Sequence, residues 1–590
     1  MSAGALRPVR KVGAPWLLLV PCLAFMAVFF VYPVLKILAF SVIGEAGTLS
    51  AENFARVVDN SVYVSVLATT FKIALLTTAC VLLLGYPLAY GLYKISPSTR
   101  NNYLMWVLIP FWTSDLVKAF SWVVLLGRNG AFNRALIDTG IVGEPLSLLH
   151  SSIGVYFGMT HALLPLAVLT ILSVMTGVDS SLMRAANSLG AAPSHAFWRI
   201  FFPLTLPGIA AAGLLVFITA LGFFVIPALL GGARDTLLAQ IIISEMLVIM
   251  NWGMAALLSL MLLAVAFVVF WLYDRLLGVT RLVGEGRTDS GFSTGMLRYF
   301  SRALIAMAAS LFAMLDSALQ AVFGRRGTEI ALKLYVIVIC VFLMIPTVIV
   351  FPMSFTSGAF LDFPPPGWSL RWFEAYFTSS LWIDATLRSF GVGACAAAIA
   401  LVLGSMAALA LNRSSSRFKG LMVAFLISPL IVPRVVTAVG LFYLFAQLGI
   451  VGTTLGLVLG HAVIALPFVV ITMSAGMKSY DTRLDQAAAT LGATPLKTAL
   501  YVMLPILKGS VLAAFLFAFI ISFDDLSIAL FTSGGLVSTL PKQMWDDMTL
   551  QLNPTISAAS VVVTLLTLAL LACAARATRN VTRLTNQPAN

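Results

Sequence analysis

A short polar passage that occurs twice in this chain constrains its fold more than any other feature. The first repeated passage, residues 183–209, is MRAANSLGAAPSHAFWRIFFPLTLPGI, and the second, residues 485–511, is DQAAATLGATPLKTALYVMLPILKGSV. The matching pairs, all 302 residues apart, are Ala185 and Ala487, Ala186 and Ala488, Leu189 and Leu491, Gly190 and Gly492, Pro193 and Pro495, and Pro203 and Pro505. A register that holds over this distance without a gap indicates two copies of one folding unit.

The composition places both copies in a membrane. Hydrophobic residues make up 60% of the chain and charged residues only 10%. A soluble domain carries about 25% charged residues, because its surface faces water. Apolar stretches of about 20 residues are long enough to cross the hydrocarbon core as helices. We therefore predict an all-α integral membrane protein.

The apolar stretches predict about twelve transmembrane helices, in two homologous halves of about six each. In the first half they lie near residues 14–43, 61–93, 102–127, 151–176, 205–232 and 250–273. In the second half they lie near residues 331–356, 385–411, 420–447, 452–477, 509–533 and 555–575. The prolines inside these stretches, which predict kinks and not helix ends, are Pro33, Pro165, Pro346 and Pro467. The predicted domains are residues 1–273, a linker of residues 274–330, and residues 331–590.

Basic residues predict the orientation of these helices. Lys and Arg precede the first span, and in each half they follow the second span, the fourth span and the sixth span. Positive charge favours the cytoplasmic side of a membrane. We therefore expect both termini and both repeated passages in the cytoplasm. The same bias accounts for the net charge of +13, which makes nucleic acid a poor candidate partner.

The linker between the halves differs from the rest of the chain. Residues 281–295 are polar and glycine-rich, which is typical of a flexible linker. Residues 296–323 combine helical propensity with flanking arginines and an internal Asp316, which favours an interfacial helix on the cytoplasmic leaflet. A thirteenth span is the alternative. It would give the two halves opposite orientations, against both the repeat and the charge bias.

Glycine and threonine predict the local structure of the repeated passages. Gly190 and Gly492 each follow a short alanine-containing stretch, so we expect a short helix to end there with the glycine in the left-handed conformation. Thr494 and Pro495 have the order of an N-cap followed by a first helical residue. Ala192 offers the first copy a poorer cap. The product in each copy is a compact helix–turn–helix.

Proline closes each passage. Pro203 and Pro505 are expected to mark the return of the chain towards the membrane. An ordinary loop between spans is the simpler interpretation of a single copy. Two copies with glycine and proline at the same offsets favour a paired docking device for a cytoplasmic protein.

The repeated passages resemble the EAA loop of binding-protein-dependent ABC importer permeases, whose pattern runs E-A-A-x-x-L-G before a proline. The resemblance implies a type I ABC importer-like fold, in which this loop forms coupling helices that dock on cytoplasmic ATPase subunits. It covers both halves, so the chain is similar to two permease subunits fused into one. The family glutamate falls on Arg184 and on Gln486. The implied coupling residues are Arg184, Ala185, Ala186, Gly190, Pro193 and Pro203 in the first copy, and Gln486, Ala487, Ala488, Gly492, Pro495 and Pro505 in the second.

Two further stretches resemble the spermidine/putrescine type of these permeases. Residues 109–133, IPFWTSDLVKAFSWVVLLGRNGAFN, are similar to the first permease of such systems, and residues 521–535, ISFDDLSIALFTSGG, are similar to the second. The resemblance implies import of a polyamine such as putrescine or spermidine across a bacterial inner membrane, after delivery by a periplasmic binding protein. The chain has no G-x-x-x-x-G-K-[ST] loop. We therefore expect a transport subunit that binds no cofactor, with ATP and Mg²⁺ on two separate ATPase subunits.

Acidic and aromatic residues indicate a path for a cationic solute. Asp524 and Asp525 lie at the predicted eleventh span, where a carboxylate is costly unless it faces a partner or a wet cavity. Asp115, Trp545 and Asp546 could extend this path. Carboxylates together with aromatic faces suit an organic ammonium ion.

A structural interpretation of the same aspartates stays open at this point. They could cap helices or pair with lysines such as Lys118 and Lys542. The first half carries Phe223 and Phe224 in place of the adjacent aspartates. The predicted acidic site is therefore asymmetric.

Other solutes and other classes of protein are the alternatives. Related subfamilies carry ferric iron or 2-aminoalkylphosphonates, and a phosphonate would need cationic groups such as Lys118, Arg434 and Lys542. The histidines are scattered and predict no metal site. An intramembrane enzyme is a poor candidate, because the sequence has no H-E-x-x-H pair. A scaffold that only recruits ATPases would leave the adjacent aspartates unexplained.

Overall fold

The computed structural model describes most of the chain. The described residues are 15–43, 48–277, 324, 326–414, 416–535, 537–550 and 553–585. The predicted interfacial helix of residues 296–323, and most of the predicted linker, lie outside the described residues. The expectation for that segment stays a prediction.

The described residues are almost entirely helical, which confirms the predicted all-α class. The first-half helices are α1 Val20–Met26, α2 Tyr32–Phe40, α3 Glu52–Asp59, α4 Ser61–Lys94, α5 Pro97–Trp112, α6 Asp115–Leu126, α7 Ala131–Asp138, α8 Ser152–Thr176, α9 Ser180–Ser188, α10 Pro193–Ala196, α11 Phe202–Leu221, α12 Val225–Leu230, α13 Leu238–Leu247 and α14 Trp252–Leu277. The second-half helices are α15 Arg326–Ser354, α16 Arg371–Thr378, α17 Ser380–Arg413, α18 Lys419–Ile427, α19 Arg434–Leu448, α20 Thr454–Lys478, α21 Arg483–Thr490, α22 Pro495–Thr498, α23 Leu504–Phe523, α24 Ser527–Thr532, α25 Leu540–Leu550 and α26 Thr555–Thr585.

Ten described helices are long and apolar enough to cross a membrane, and the number rises to twelve if each of two bent helix pairs forms one span. The predicted number of spans is therefore confirmed. The third and ninth predicted spans, residues 102–127 and 420–447, correspond to the two bent helix pairs. The chain bends by 93° between α5 and α6, and by 90° before α19.

Local chemistry accounts for both bends. In the first, the Ser114 hydroxyl accepts the backbone N–H of Leu116 at 3.3 Å and caps the start of α6. In the second, Pro433 directly precedes α19. Proline has no N–H to donate and moves the preceding residue, Val432, out of the helical region. Each pair of helices is therefore two elements with different directions.

Widened π-helical turns precede three of the prolines. They are Ala27–Val31 before Pro33, Phe197–Phe201 before Pro203, and Ala499–Met503 before Pro505. A proline removes one N–H and its ring meets the carbonyl four residues earlier, and an extra residue in the turn accommodates both effects. The helices therefore continue through these prolines, and Pro165 and Pro467 also lie inside α8 and α20.

Pro203 and Pro505 do not end or begin a helix. Continuous helical segments run from Pro193 to Leu221 and from Pro495 to Phe523. The first proline of each repeated passage therefore begins the helical segment, and the second lies within it; the return to the membrane at the second proline stays a prediction. The sequence identifies both prolines of each passage, and the structure shows which of them begins the helix.

The chain forms two compact units that do not follow chain order. The first unit comprises residues 1–39, 378–543 and 565–590, and the second comprises residues 40–377 and 544–564. We call the first candidate span of each half its leading helix: Trp16–Phe40 in the first half and α15 in the second. Each unit therefore combines the leading helix of one half with the core of the other half. The predicted domain boundaries follow the repeat in the sequence, whereas each compact unit contains residues from both predicted halves.

In the first unit, the leading helix approaches α19 closely. A Cβ on Gly440 would lie 3.0 Å from the backbone of Pro33, so a residue without a side chain is needed at this contact. The rings of Phe29 and Phe445 lie 6.5 Å apart, centroid to centroid. The long helix α17 packs on α20 and α23, and these three helices form the core of the unit.

In the second unit, α4 packs on α8 and α11, and α15 is joined to this core by polar contacts. The Ser121 hydroxyl donates to the carbonyl of Pro346 at 2.8 Å. The Nε2 atom of His161 lies 2.9 Å from the carbonyl oxygen of Leu343. Polar groups away from water need such partners. These contacts fix α15 against first-half helices.

Candidate functional site

The first repeated passage forms a compact helix–turn–helix. Its first helix, α9, begins after Asp179, whose carboxylate accepts the backbone N–H of Ser181 at 2.8 Å and caps the helix. The helix ends shortly before Gly190, which has φ +80°. The backbone N–H of Ala191 donates to the carbonyl of Ala186 at 3.1 Å. This is the closing hydrogen bond of a Schellman motif.

The second repeated passage has the same construction. Asp481 accepts the backbone N–H of Arg483, the first residue of α21, at 2.9 Å, and Thr482 between them makes no side-chain cap. Gly492 has φ +82°, and the backbone N–H of Ala493 donates to the carbonyl of Ala488 at 3.0 Å. The predicted left-handed glycine is confirmed in both copies. The two passages therefore share geometry as well as sequence.

The caps of the following helices differ as the sequence predicts. The Thr494 hydroxyl accepts the backbone N–H of Lys497 at 3.4 Å, at the start of α22. Ala192 precedes α10 without a side-chain cap. Pro193 and Pro495 are the first residues of these two helices, where a missing N–H has no effect on the helix.

The carboxylates of Asp179 and Asp481 are charged at neutral pH. The hydroxyl and N–H of Ser181 lower the pKa of Asp179 below its usual value. The guanidinium and N–H of Arg483 do the same for the pKa of Asp481. A charged acceptor makes the stronger hydrogen bond. The hydrogen bonds to these carboxylates at the beginning of both passages therefore persist across the physiological pH range.

Each passage presents one leucine at its turn. Leu189 and Leu491 are both 88% exposed and lie directly before the glycine. Ala186 and Ala488, one turn earlier, are buried in their units. A single exposed leucine is ordinary on a protein surface. The two copies therefore expose the same residue type to the same extent at the same place.

The residues at the position of the family glutamate lie on the surface. Arg184 and Gln486 are both exposed. Arg184 donates to the Ser180 hydroxyl at 3.0 Å, one turn earlier on the same helix. Their side chains therefore lie on the surface of the helix and not in the core.

Asp115 of the predicted path is paired. Its carboxylate lies 2.8 Å from the ammonium group of Lys118, one turn further along α6. Lys118 is 3% exposed, and a buried charge of this kind needs a partner. The structural alternative, pairing with a lysine, is therefore correct for Asp115.

Asp525 caps a helix inside the first unit. It is 1% exposed, and one carboxylate oxygen accepts the backbone N–H of Ile528 at 2.7 Å, at the start of α24. Asp524 directly follows α23 and is half-buried. His461, packed on the same turn, lies 2.8 Å from the Ser522 hydroxyl. The break between α23 and α24 is therefore a polar, buried corner.

The helix ends correct the alignment of the two halves at this corner. α11 ends at Leu221 and α23 at Phe523, while α12 and α24 begin at Val225 and Ser527. This register places Gly222 opposite Asp524 and Phe223 opposite Asp525, one residue from the predicted alignment. The conclusion that the acidic residues have no counterpart in the first half is unchanged.

Trp545 and Asp546 lie on α25, in the second unit. The ring of Trp545 meets the ring of Phe224 edge-on, with centroids 5.5 Å apart. Asp546 is half-buried. Of the five residues predicted for the path, Asp115 shares the second unit with these two, and Asp524 and Asp525 belong to the first.

A cluster that sequence reasoning missed anchors the second repeated passage. Asp485 contacts both Arg413 and Tyr480. Arg413 and Asp485 are 72 residues apart, so no local pattern joins them. The only sequence signal is that a basic residue ends α17 and an acidic residue begins the passage.

The family of the chain is shown by its sequence. Residues 81–278 and 400–586 match the model of the binding-protein-dependent transport system inner membrane component. The chain belongs to this family. Each matched region contains one repeated passage, so the repeat found in the sequence corresponds to two family domains.

Two permeases are each similar to less than half of this chain. PotB, the spermidine/putrescine transport system permease protein of Haemophilus influenzae, is 34% identical over 258 residues, which is 43% of this chain and 90% of that protein. PotI, the putrescine transport system permease protein of Escherichia coli strain K12, is 33% identical over 230 residues, 38% of this chain and 81% of that protein. A solved bacterial alginate ABC transporter matches 46% of this chain at 16% identity and a TM-score of 0.39, too low to carry an argument.

These matches make the chain a permease of an ABC importer, with two permease domains fused in one polypeptide. It is a multi-pass membrane protein and a transport subunit, not an enzyme. Each relative covers less than half of this chain while most of its own length is matched. The predicted fusion of two subunits is therefore confirmed.

Proposed function

We propose that this chain imports a small polyamine, such as putrescine or spermidine, across a bacterial inner membrane. One observation carries the proposal: the chain is 34% identical over 258 residues to a permease named for spermidine and putrescine transport. A periplasmic binding protein delivers the solute. Two separate ATPase subunits bind ATP and Mg²⁺, and this chain binds no cofactor itself.

Both repeated passages dock on the ATPase subunits, one passage to each. The support is the matched geometry: a short helix, a leucine exposed by 88% in each copy, and a left-handed glycine. A projecting leucine on a small-sided helix fits a hydrophobic groove. Helix movement that follows ATP binding then opens the transport path to one side of the membrane at a time.

The lysine and arginine bias supports a cytoplasmic location for these passages and both termini. Single cysteines at positions 189 and 491, in a chain lacking its own cysteines, test this orientation. We expect an impermeant thiol reagent to label both in inverted vesicles and neither in intact spheroplasts. Labelling of one position from each side would refute the shared orientation and with it the docking role.

Acidic residues support a cationic solute more than an anionic one. Lys118, a candidate for binding a phosphonate, is buried and already neutralised by Asp115 at 2.8 Å. Asp524 in the first unit and Asp546 in the second are half-buried carboxylates, and negative charge in such a place suits an organic ammonium ion. Import of an aminophosphonate is therefore the weaker alternative.

The substrate is tested by uptake in proteoliposomes that contain the chain, its ATPase and its binding protein. We expect ATP-dependent accumulation of radiolabelled putrescine that unlabelled spermidine reduces. Ferric iron and 2-aminoethylphosphonate serve as competing solutes. Competition by either of these, without competition by spermidine, would refute the polyamine proposal.

Asp524 is the residue of the path best suited to a direct test. We expect Asp524→Asn to reduce putrescine uptake about tenfold, because the cation loses an interaction with a charged side chain worth about 1.4 kcal/mol. The amount of protein in the membrane should stay the same. Asp115→Asn is the matched control in the other half, and its effect should appear as reduced protein because Lys118 loses its partner. Equal uptake by Asp524→Asn and the unmodified chain would remove Asp524 from the path.

A further inference from the structure

The second repeated passage is held by a polar cluster. One carboxylate oxygen of Asp485 lies 2.5 Å from a guanidinium nitrogen of Arg413. The other carboxylate oxygen accepts the Tyr480 hydroxyl at 2.7 Å. Arg413 is the last residue of α17, and Tyr480 closely follows α20. These three residues, which we call the Asp485 clamp, join α21 to the ends of two membrane spans.

Partial burial strengthens the clamp. The side chains of Arg413 and Asp485 are 29% and 22% exposed, so water and salt screen them less than a pair on the open surface. Burial, together with the hydrogen bond to Asp485, raises the pKa of Tyr480 to about 12. The hydroxyl therefore keeps its proton and donates throughout the physiological range. Both oxygens of the carboxylate are thus held at once.

The first repeated passage is attached by aromatic rings instead. Near the end of α4, the ring centroid of Tyr90 lies 4.6 Å from that of Phe197 and 5.6 Å from that of Phe201. Tyr93 lies 5.0 Å from Phe201, and the ammonium group of Lys94 lies 5.0 Å above the ring of Tyr90. Aromatic packing of this kind depends on contact area and tolerates small changes in angle.

At these positions, each half has the residues that attach its own repeated passage and lacks those that attach the other passage. α4 and α17 are both 34 residues long, which aligns Lys94 with Arg413. Met183 and Val178 stand in the first half where the second half has Asp485 and Tyr480. The positions equivalent to the four aromatic residues of the first half carry Leu409, Asn412, Ala499 and Met503. The Asp485 ion pair therefore cannot form at the equivalent positions of the first copy, and the packing of four rings cannot form at the equivalent positions of the second.

We propose that the Asp485 clamp transmits movement of the second repeated passage to α17 and α20, whereas the first passage is coupled to its unit through aromatic packing. The proposal rests on the import function above and deepens it. Asp485 is a positioning residue that acts through α21 and touches no solute. The two halves therefore respond to the ATPase subunits through different chemistry.

Hydrogen–deuterium exchange of the full-length chain in lipid nanodiscs tests the clamp without any solute. We expect Asp485→Asn to speed exchange of the amides in residues 483–490 about fivefold, because a charge-assisted contact to Arg413 is lost. Exchange in residues 180–188 should stay unchanged. Met183→Asn, the matched variant of the first copy, should leave residues 483–490 as they are. Unchanged exchange in Asp485→Asn would overturn the proposal.

Reconstitution with the ATPase and the binding protein tests transmission, with radiolabelled putrescine as the probe. We expect Asp485→Asn and Tyr480→Phe each to lower the putrescine taken up per ATP hydrolysed about fivefold. The ATPase should co-purify in unchanged amount. Arg413→Asp combined with Asp485→Arg should restore the ratio to within about twofold of the unmodified chain.

Two outcomes would contradict this role. A normal uptake ratio in Asp485→Asn would show that the clamp transmits nothing. Loss of the ATPase from the Asp485→Asn complex would assign the residue to docking. The polyamine proposal fails separately: an unmodified complex that hydrolyses ATP but takes up no putrescine refutes that solute, while the exchange measurement still decides the clamp.

Discussion

At Gly190 and Gly492 the backbone enters the left-handed region, with φ of +80° and +82°. An added Cβ would meet no atom within 4 Å at either position. The glycine is therefore required by the backbone alone and not by crowding. This is why the sequence could predict both turns: a Schellman motif depends on a residue type at one offset, and the offset is visible without a structure.

Gly492→Ala tests this requirement. We expect the substitution to destabilise the turn by about 1 to 2 kcal/mol, the strain of a side chain in the left-handed region. Uptake and ATPase co-purification should both fall. Gly420→Ala is the control, because Gly420 is also open to solvent but lies in α18 without a positive φ. Equal effects of the two substitutions would contradict the conformational explanation.

The exposed leucines give a second prediction at this scale. Because Leu189 and Leu491 contribute little to packing within their units, Leu189→Ala with Leu491→Ala should leave thermal unfolding unchanged. We expect ATPase affinity to fall about tenfold or more, the size of effect that an anchor residue has in an interface. Co-purification from detergent measures this loss. Leu49→Ala, at an equally exposed leucine outside the passages, should have no effect on it.

Hydropathy and proline positions predicted which residues form helices, but they did not predict the directions of those helices. A hydropathy window reports composition, so it could not show that the chain turns by 93° and 90° within two apolar stretches. The one-residue error at Asp524 and Asp525 has another origin: the separation of 302 residues that aligns the repeated passages already pairs Gly222 with Asp524 and Phe223 with Asp525. The pairing of Asp115 with Lys118 was foreseen as an alternative, since the two are three residues apart on one helix. The Asp485 clamp was not foreseen, because it joins distant elements.

The π-helical turns predict a role for the second proline of each passage. Pro505→Ala supplies an N–H that can bond the carbonyl four residues earlier, so the widened turn can close to a regular helix. Closing it removes one residue from the turn and rotates α22 by about 100° relative to α23. We expect uptake to fall at least tenfold, about 1.4 kcal/mol, with normal insertion.

Pro467→Ala is the control for this prediction, because Pro467 lies inside α20 and away from any π-helical turn. Its effect on uptake should be less than about twofold, since a buried proline-to-alanine change leaves the helix in place. Similar losses in both variants would show that proline rigidity matters and not the widened turn.

For the whole molecule, the repeat predicted two family domains, and the matched regions confirm them. The sequence could not show that each compact unit takes its leading helix from the other half. That arrangement depends on packing between distant segments, such as Gly440 against Pro33, and neither residue signals it alone. The roles of Asp524, Asp525, Trp545 and Asp546 in a solute path stay predictions.

The exchange of leading helices predicts how a divided chain behaves. If the polypeptide is cut between the matched family regions, the two pieces should assemble when they are produced together, because separate permeases are the form of the relatives. Each piece alone should be degraded, since each core lacks a helix that it packs against. Membrane levels and uptake measure both expectations. A stable, single piece would contradict the exchange.

The exchange of leading helices also determines when each unit can be completed during synthesis. The leading helix leaves the ribosome before the rest of its unit: residues 378–543, which form the core of that unit, emerge only after more than 300 further residues. At about 5 to 20 residues per second, this delay is on the order of 20 to 70 s. During that interval lipid or an insertion chaperone must shelter its apolar face, so the nascent chain is most vulnerable before translation is complete.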